Sequence, residues 1–206
     1  MSGLLISVDG LDGTGKSTQS RMLCEWLHEQ GYQTISPRDP GGTLLGESLR
    51  EILLHRQEIP LSMTAEMLLY MASRAQLVAE VLRPALDSGK IVVADRYLLA
   101  NVVYQGSAGG LDTETIWQVG RVATQGLLPD LTVVLDIDVE AAMQRIGQTR
   151  DRMESRGIDY MQKVREGFLA QSKVLGSAAM VVDAQQTIDA VHQQITTAVK
   201  AILVRG

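Results

Sequence analysis

The sequence holds a single cysteine, Cys24, so no disulfide can close within the chain. Cys24 falls in a helical apolar pattern, which predicts a buried structural thiol rather than a nucleophile. An unpartnered thiol suits a reducing compartment, and the cytoplasm is the expected location. Positive charge is also in short supply. Nineteen Lys and Arg stand against 24 Asp and Glu, giving a net charge of -5 and a pI near 5.2. Duplex binding needs a basic face that displaces counterions, so no nucleic-acid partner is expected. An anionic small molecule is still allowed, because arginine clusters act locally. No apolar run is long enough to span a membrane, and residues 1–8 lack the basic and apolar pattern of a signal peptide. Repeats, low-complexity tracts and Pro/Ser-rich linkers are missing too, and 206 residues then predict one domain, 1–206.

What is present is an alternation of short β-rich runs with longer helical patterns. Leu4 to Val8, Ile91 to Ala94, Leu131 to Leu135 and Ala179 to Val182 are compact and apolar, and Gln33 to Ser36 is extended. Such runs suit strands covered on both faces, so a doubly wound α/β fold with a parallel sheet is expected. Asp95, Asp136 and Asp183 end three of these runs, at the strand ends where such sheets bind ligands. Met63 to Leu82 is apolar around most of a helical wheel. That requires burial on more than one face, either in the core alone or partly against a second subunit.

Gly10-Leu11-Asp12-Gly13-Thr14-Gly15-Lys16-Ser17-Thr18 fits the pattern G-x-x-x-x-G-K-[ST], with a strand before it and a helix after it. Glycines let the backbone wrap a phosphate, and the following helix adds its positive end. Lys16 brings a point charge to the β- and γ-phosphates, and Ser17 brings a hydroxyl to the metal. No Asn-Lys-x-Asp run is present to read guanine, and the length leaves little room for effector modules, so a small-molecule kinase is favoured.

Three further segments bear on the class. Arg38-Asp39-Pro40-Gly41-Gly42-Thr43 is a shaped loop with paired charge, though a plain turn with a solvated ion pair explains it equally well. Asp95-Arg96-Tyr97 closes a buried strand. Arg96 there can fork onto a phosphate while Asp95 serves the metal, or the pair can simply seal the strand. Arg145, Arg150, Arg152 and Arg156 cluster in a span mostly flanked by Gly147 and Gly157, either as a lid over transferring phosphates or as a solvated helix face.

With Arg74, Tyr104-Gln105-Gly106, Asp151-Arg152-Met153-Glu154 and Val182-Asp183-Ala184, these segments resemble the thymidylate kinase family in order and spacing over nearly the whole chain. The resemblance implies a five-stranded P-loop kinase with a short lid at about residues 145–157. It implies transfer of phosphate from Mg-ATP to dTMP, and the apolar Met63 to Leu82 segment adds the expectation of a homodimer. Arg38 and Arg96 would then hold the acceptor phosphate, Tyr70 would stack on thymine, and Arg74 would bond the base. Asn101 and Gln105 would lie along base and sugar, and Tyr104 would crowd the 2′ position. Asp12 would stand near the acceptor phosphate and the metal, with Asp95 beside Ser17. Gln185 and Gln186 would border adenine, and Arg145 would reach ATP. Lys16, Asp12, Arg96, Arg150 and Arg152 are the expected catalytic set. Asp39 stands where the family motif has glutamate, and Ala100 where serine is common. Gly13 stands where some members carry arginine, so this chain resembles the subtype whose catalytic arginines sit in the lid. A UMP or CMP kinase and a catalytically idle nucleotide-binding regulator are the rival readings.

Overall fold

The computed structural model describes residues 3–56, 58–145, 152 and 156–204. Its centre is a parallel sheet of five strands: β1 (Leu5–Gly10), β2 (Thr34–Ile35), β3 (Ile91–Asp95), β4 (Leu131–Asp136) and β5 (Ala179–Asp183), ordered β2-β3-β1-β4-β5. The register sets Val8 beside Asp95 and beside Val133, so β1 is hydrogen-bonded on both edges. The chain fills one side of β1 with β2 and β3, then crosses to the other for β4 and β5. The crevice at this change of direction opens above the carboxyl end of β1, where the glycine-rich loop begins.

The helices are α1 (Lys16–Glu29), α2 (Leu44–Arg50), α3 (Met63–Leu77), α4 (Arg83–Asp87), α5 (Leu98–Asn101), α6 (Thr113–Ala123), α7 (Val139–Arg145), α8 (Ile158–Leu175) and α9 (Ile188–Leu203). Alternation along the strands divides the apolar residues between two layers, as a pleated backbone must. Ile6, Val8 and Val93 pack with Leu23 and Leu27 of α1 and with Val191 and Ile195 of α9. Leu5, Val92 and Ala94 pack instead with Met71 and Leu77 of α3 and with Ile116 of α6. Side chains of Ser62, Asp112 and Thr187 cap α3, α6 and α9 by accepting from the backbone three residues on.

Helices α2, α3 and α5 each run on into a π turn, at Glu51–His55, Val78–Leu82 and Val102–Ser107. Among the described residues, no helix is long and apolar enough to cross a membrane. Helix α3 is buried through Met67, Tyr70, Met71, Arg74 and Leu77, but Thr64, Leu68 and Ala72, with Ala79 of the π turn that follows, form an exposed stripe. The chain's own core therefore covers only part of this apolar helix.

Candidate functional site

Gly10 opens the loop at φ 135, and a Cβ there would lie 2.4 Å from the Leu135 carbonyl oxygen, so no other residue fits. Gly15, at φ 94, then turns the chain into α1. Lys16 is buried and curls back over the loop. Its Nζ donates to the Leu11 carbonyl at 2.7 Å and lies 3.4 Å from Asp12 Oδ1. Burial and nearby Arg96 lower the Lys16 pKa, opposed by Asp12 and Asp95. Asp12 also accepts from Arg96 Nη2 at 2.6 Å. Against the upward push of burial, Arg96 and Lys16 hold its carboxyl well below the usual carboxylate range.

Arg96 follows Asp95 in the left-handed region, at φ 68. That turn swings its guanidinium back across the loop, where Nη1 donates to the Gly10 carbonyl at 2.8 Å and Cζ lies 5.2 Å from the Tyr104 ring centre. Asp95 accepts from Ser17 Oγ at 2.9 Å. A hydroxyl and a carboxylate in a phosphate-sized cleft are hard oxygen donors, the set that suits a Mg²⁺ ion sharing phosphate oxygens and water. Asp136 and Asp183, the other strand-end aspartates, are spent elsewhere. Arg165 of α8 grips Asp136 with Nε and Nη2 at 2.8 and 3.0 Å, and Asp183 accepts from the Gln185 amide.

Three compartments meet at the loop. The middle one is lined by Lys16, Ser17, Asp95 and Arg145, with Gly13 and Thr18 at its edge. Arg38 also lines it, half-exposed and paired with Glu47 at 2.7 Å. A second, apolar compartment lies between the P-loop and Arg145, Ala184, Gln186, Ile188 and Val191. The third is a cleft lined by Tyr70, Arg74, Ala100, Asn101, Tyr104 and Gln105.

In the third compartment the expected residues form one polar array. Arg74 is buried; its Nε lies 2.5 Å from Asp39 Oδ2, and its Nη1 donates to Asn101 at 3.0 Å. Burial pushes the Asp39 carboxyl up while Arg74 pulls it down. The Tyr104 ring meets Phe168 edge-on at 6.0 Å, and burial raises its phenol. Among the described residues, Tyr104 Oη and Asp39 Oδ1 have no hydrogen-bond partner of good geometry, so two buried polar atoms remain for a ligand.

Two expected residues stand apart from the compartments. Arg152 does not line the phosphate compartment: its guanidinium donates to the carbonyls of Leu53, Arg56 and Ile59, pinning it to the turn after α2. Gln185 turns outward onto Asp138 at 3.2 Å, and it is Gln186 that lines the compartment beside Ala184. Arg150 lies outside the described residues, as do most positions of the expected lid.

Sequence reasoning missed Arg50 and Glu66. Arg50 lines both the phosphate compartment and the third compartment, anchored by a 2.9 Å bond to the Pro40 carbonyl. Its only local signal is its place one helix after the Arg38–Thr43 loop. Glu66 is buried behind Gln105 and shows as an acidic residue within the apolar run of α3.

The profile of the thymidylate kinase family matches residues 8–195. A thymidylate kinase from Rhodopirellula baltica is 47% identical over 94% of this chain and 78% of its own length. One from Caldanaerobacter subterraneus is 44% identical over 98% of both chains. The crystal structure of a thymidylate kinase from Ehrlichia chaffeensis superposes with a TM-score of 0.80 at 27% identity, covering 97% of this chain and all of the other. Loop, strand-end arginine and buried array thus sit on a sheet shared with solved relatives, and the chain belongs to the thymidylate kinase family.

Proposed function

We propose that this chain, a dTMP kinase by family, transfers the γ-phosphoryl group of ATP in line to the 5′-phosphate of dTMP, giving dTDP and ADP. One observation carries the reading. Asp12, Asp39, Arg50 and Arg96 line both the P-loop compartment and the buried compartment beside α3 and α5, so one cleft runs from donor to acceptor. ATP would lie over Gly10 to Thr18, with its β- and γ-phosphates at Lys16 and Arg145 and its base toward Gln186. In the acceptor half, Arg38, Arg50 and Arg96 would hold the monophosphate. Tyr70 would stack on thymine, Arg74, Asn101 and Gln105 would bond it, and Tyr104 would crowd a 2′-hydroxyl.

The acceptor is already a phosphate dianion near neutral pH, so catalysis rests on positioning and charge neutralisation rather than a strong base. Ser17 and Asp95 would hold Mg²⁺, which supplies neutralising charge to the donor phosphates. Lys16 and Arg96 hold Asp12 beside the junction of the two compartments, where the phosphates meet. Arg150 is assigned the lid cation's role within residues 145–157, and Arg152 an anchoring one. The exposed stripe on α3 supports a homodimer, and the lone thiol of Cys24, half-buried rather than buried as expected, supports a cytoplasmic setting. A coupled ADP-release assay over dTMP, dUMP, UMP, CMP and AMP tests the reading. The highest kcat/KM is expected for dTMP, and a ribonucleotide ahead of it would overturn the assignment.

A further inference from the structure

The buried array continues past the cleft wall to a carboxylate that touches no part of the cleft. Arg74 Nη1 donates to Asn101 Oδ1 at 3.0 Å, and Asn101 Nδ2 donates to Gln105 Oε1 at 2.6 Å. Gln105 Nε2 then donates to Glu66 Oε1 at 2.8 Å. From the other side, Arg156 Nη2 meets Glu66 Oε2 at 2.6 Å, while Arg156 Nη1 donates to the Tyr160 hydroxyl. Arg74, Asn101, Gln105 and Glu66 are all buried, so solvent cannot repair a broken link.

Arginine only donates, ionised carboxylate only accepts, and an amide does one at each end. A relay of three side chains between two arginines therefore needs one member that accepts from both directions. The place of that member fixes how the amides point. With the carboxylate at position 66, both carbonyl oxygens face Arg74 and both NH₂ groups face Glu66. Each amide keeps its second hydrogen and second lone pair for a ligand, in an orientation it cannot reverse alone.

We propose that Glu66 is a positioning residue that sets the polarity with which Asn101 and Gln105 meet the acceptor base. The inference rests on reading the third compartment as the base pocket. Thymine offers a carbonyl where cytosine offers an amino group, so this polarity decides between dTMP and dCMP.

Moving the carboxylate is the test. In Glu66→Gln, three amides between two arginines leave one donor facing a donor wherever they flip. In Asn101→Asp, the Gln105 carbonyl is driven against the Glu66 carboxylate. The double variant, E66Q/N101D, keeps the charge and satisfies every link with the amides at 66 and 105 reversed. It is expected to melt above both single variants, while its dTMP-over-dCMP ratio of kcat/KM falls at least tenfold. Glu66→Gln alone should raise KM for dTMP about tenfold and leave KM for ATP within twofold. Additive melting losses would overturn the relay, as would an unchanged dTMP KM and base ratio in Glu66→Gln. Equal losses for both substrates would mark Glu66 as merely structural and overturn it too. Should Glu66→Gln fail to fold, a folded double variant supports the relay and an unfolded one refutes it. Wild-type preference across the nucleotide panel checks the pocket reading separately, and the melting data need no substrate.

Discussion

Asp9 sits in β1 one residue before the loop, completely buried. Among the described residues, neither of its carboxylate oxygens has a hydrogen-bond partner of good geometry. Burial raises its pKa from 3.8, and Arg96 opposes the rise only in part. A carboxyl raised in the folded state contributes stability below its unfolded pKa and loses that contribution as pH climbs through the folded value. Asp9→Asn cannot ionise and escapes the loss. Its melting temperature should exceed that of the wild type by about 2–4 °C at pH 8, with the gap closing toward pH 4. Differential scanning fluorimetry across that range checks the trend, and a gap that widens at low pH would refute it. Asp9 gave no warning in the sequence, where it reads as one more strand-end acid. Lys16 and Ser17 were legible because they belong to a contiguous loop motif, and Arg96 because it directly follows a buried strand, although its partners Gly10 and Asp12 are distant in sequence. Glu66 was not, because the partners that give it meaning, Gln105 and Arg156, come from distant parts of the chain. Arg50 was not, because no motif marks it although Pro40 lies only one helix away.

Among the elements, β3 and β4 were easy to place because burial on both faces leaves compact apolar runs, which end at Asp95 and Asp136 as expected. Strand β5 keeps an apolar run ending at Asp183 although, at the sheet edge, Val181 is exposed. The helical segments were less legible. Their π turns depend on side chains packed from several directions, and no local pattern encodes that. The turn at Val102–Ser107 widens the helix as it passes the third compartment and carries Tyr104 and Gln105, a distortion often met at functional sites. Its approach depends on α6, which crosses beside it at Gly120. A Cβ there would lie 2.3 Å from Leu98 Cδ1 and 2.7 Å from Cδ2, and Leu98 is itself buried. Gly120→Ala must therefore push α6 away or force Leu98 off its rotamer, at about 1–3 kcal/mol. Thermal unfolding should show a midpoint lowered by about 3–10 °C. An unchanged midpoint would mean that the α5–α6 contact gives way freely.

For the whole molecule, the open question lies on the outer side of α3. One face of this helix carries Tyr70 and Arg74 into the third compartment, while its apolar wheel left open what covers the other side. The fold covers the face bearing Met67, Met71 and Leu77 but leaves Leu68 50% exposed in line with Ala72 and Ala79. A leucine and two alanines in a row let two helices approach closely, and a two-fold axis would set the stripe against its own copy. In such an isologous contact each residue meets the partner's surface twice, so one substitution introduces two changes. Leu68→Glu would then place two carboxylates in one apolar seam, where like charges leaving water are strongly disfavoured. Light scattering at micromolar concentration should give twice the chain mass of 22.4 kDa for the wild type and the single-chain mass for Leu68→Glu. A wild-type value at the single-chain mass would refute the dimer. A variant that stays at the double mass would move the contact off this stripe. Because α3 carries Tyr70 and Arg74 on its other face, a dimer built here would brace the compartment proposed for dTMP from behind, so the monomeric variant should lose more affinity for dTMP than for ATP.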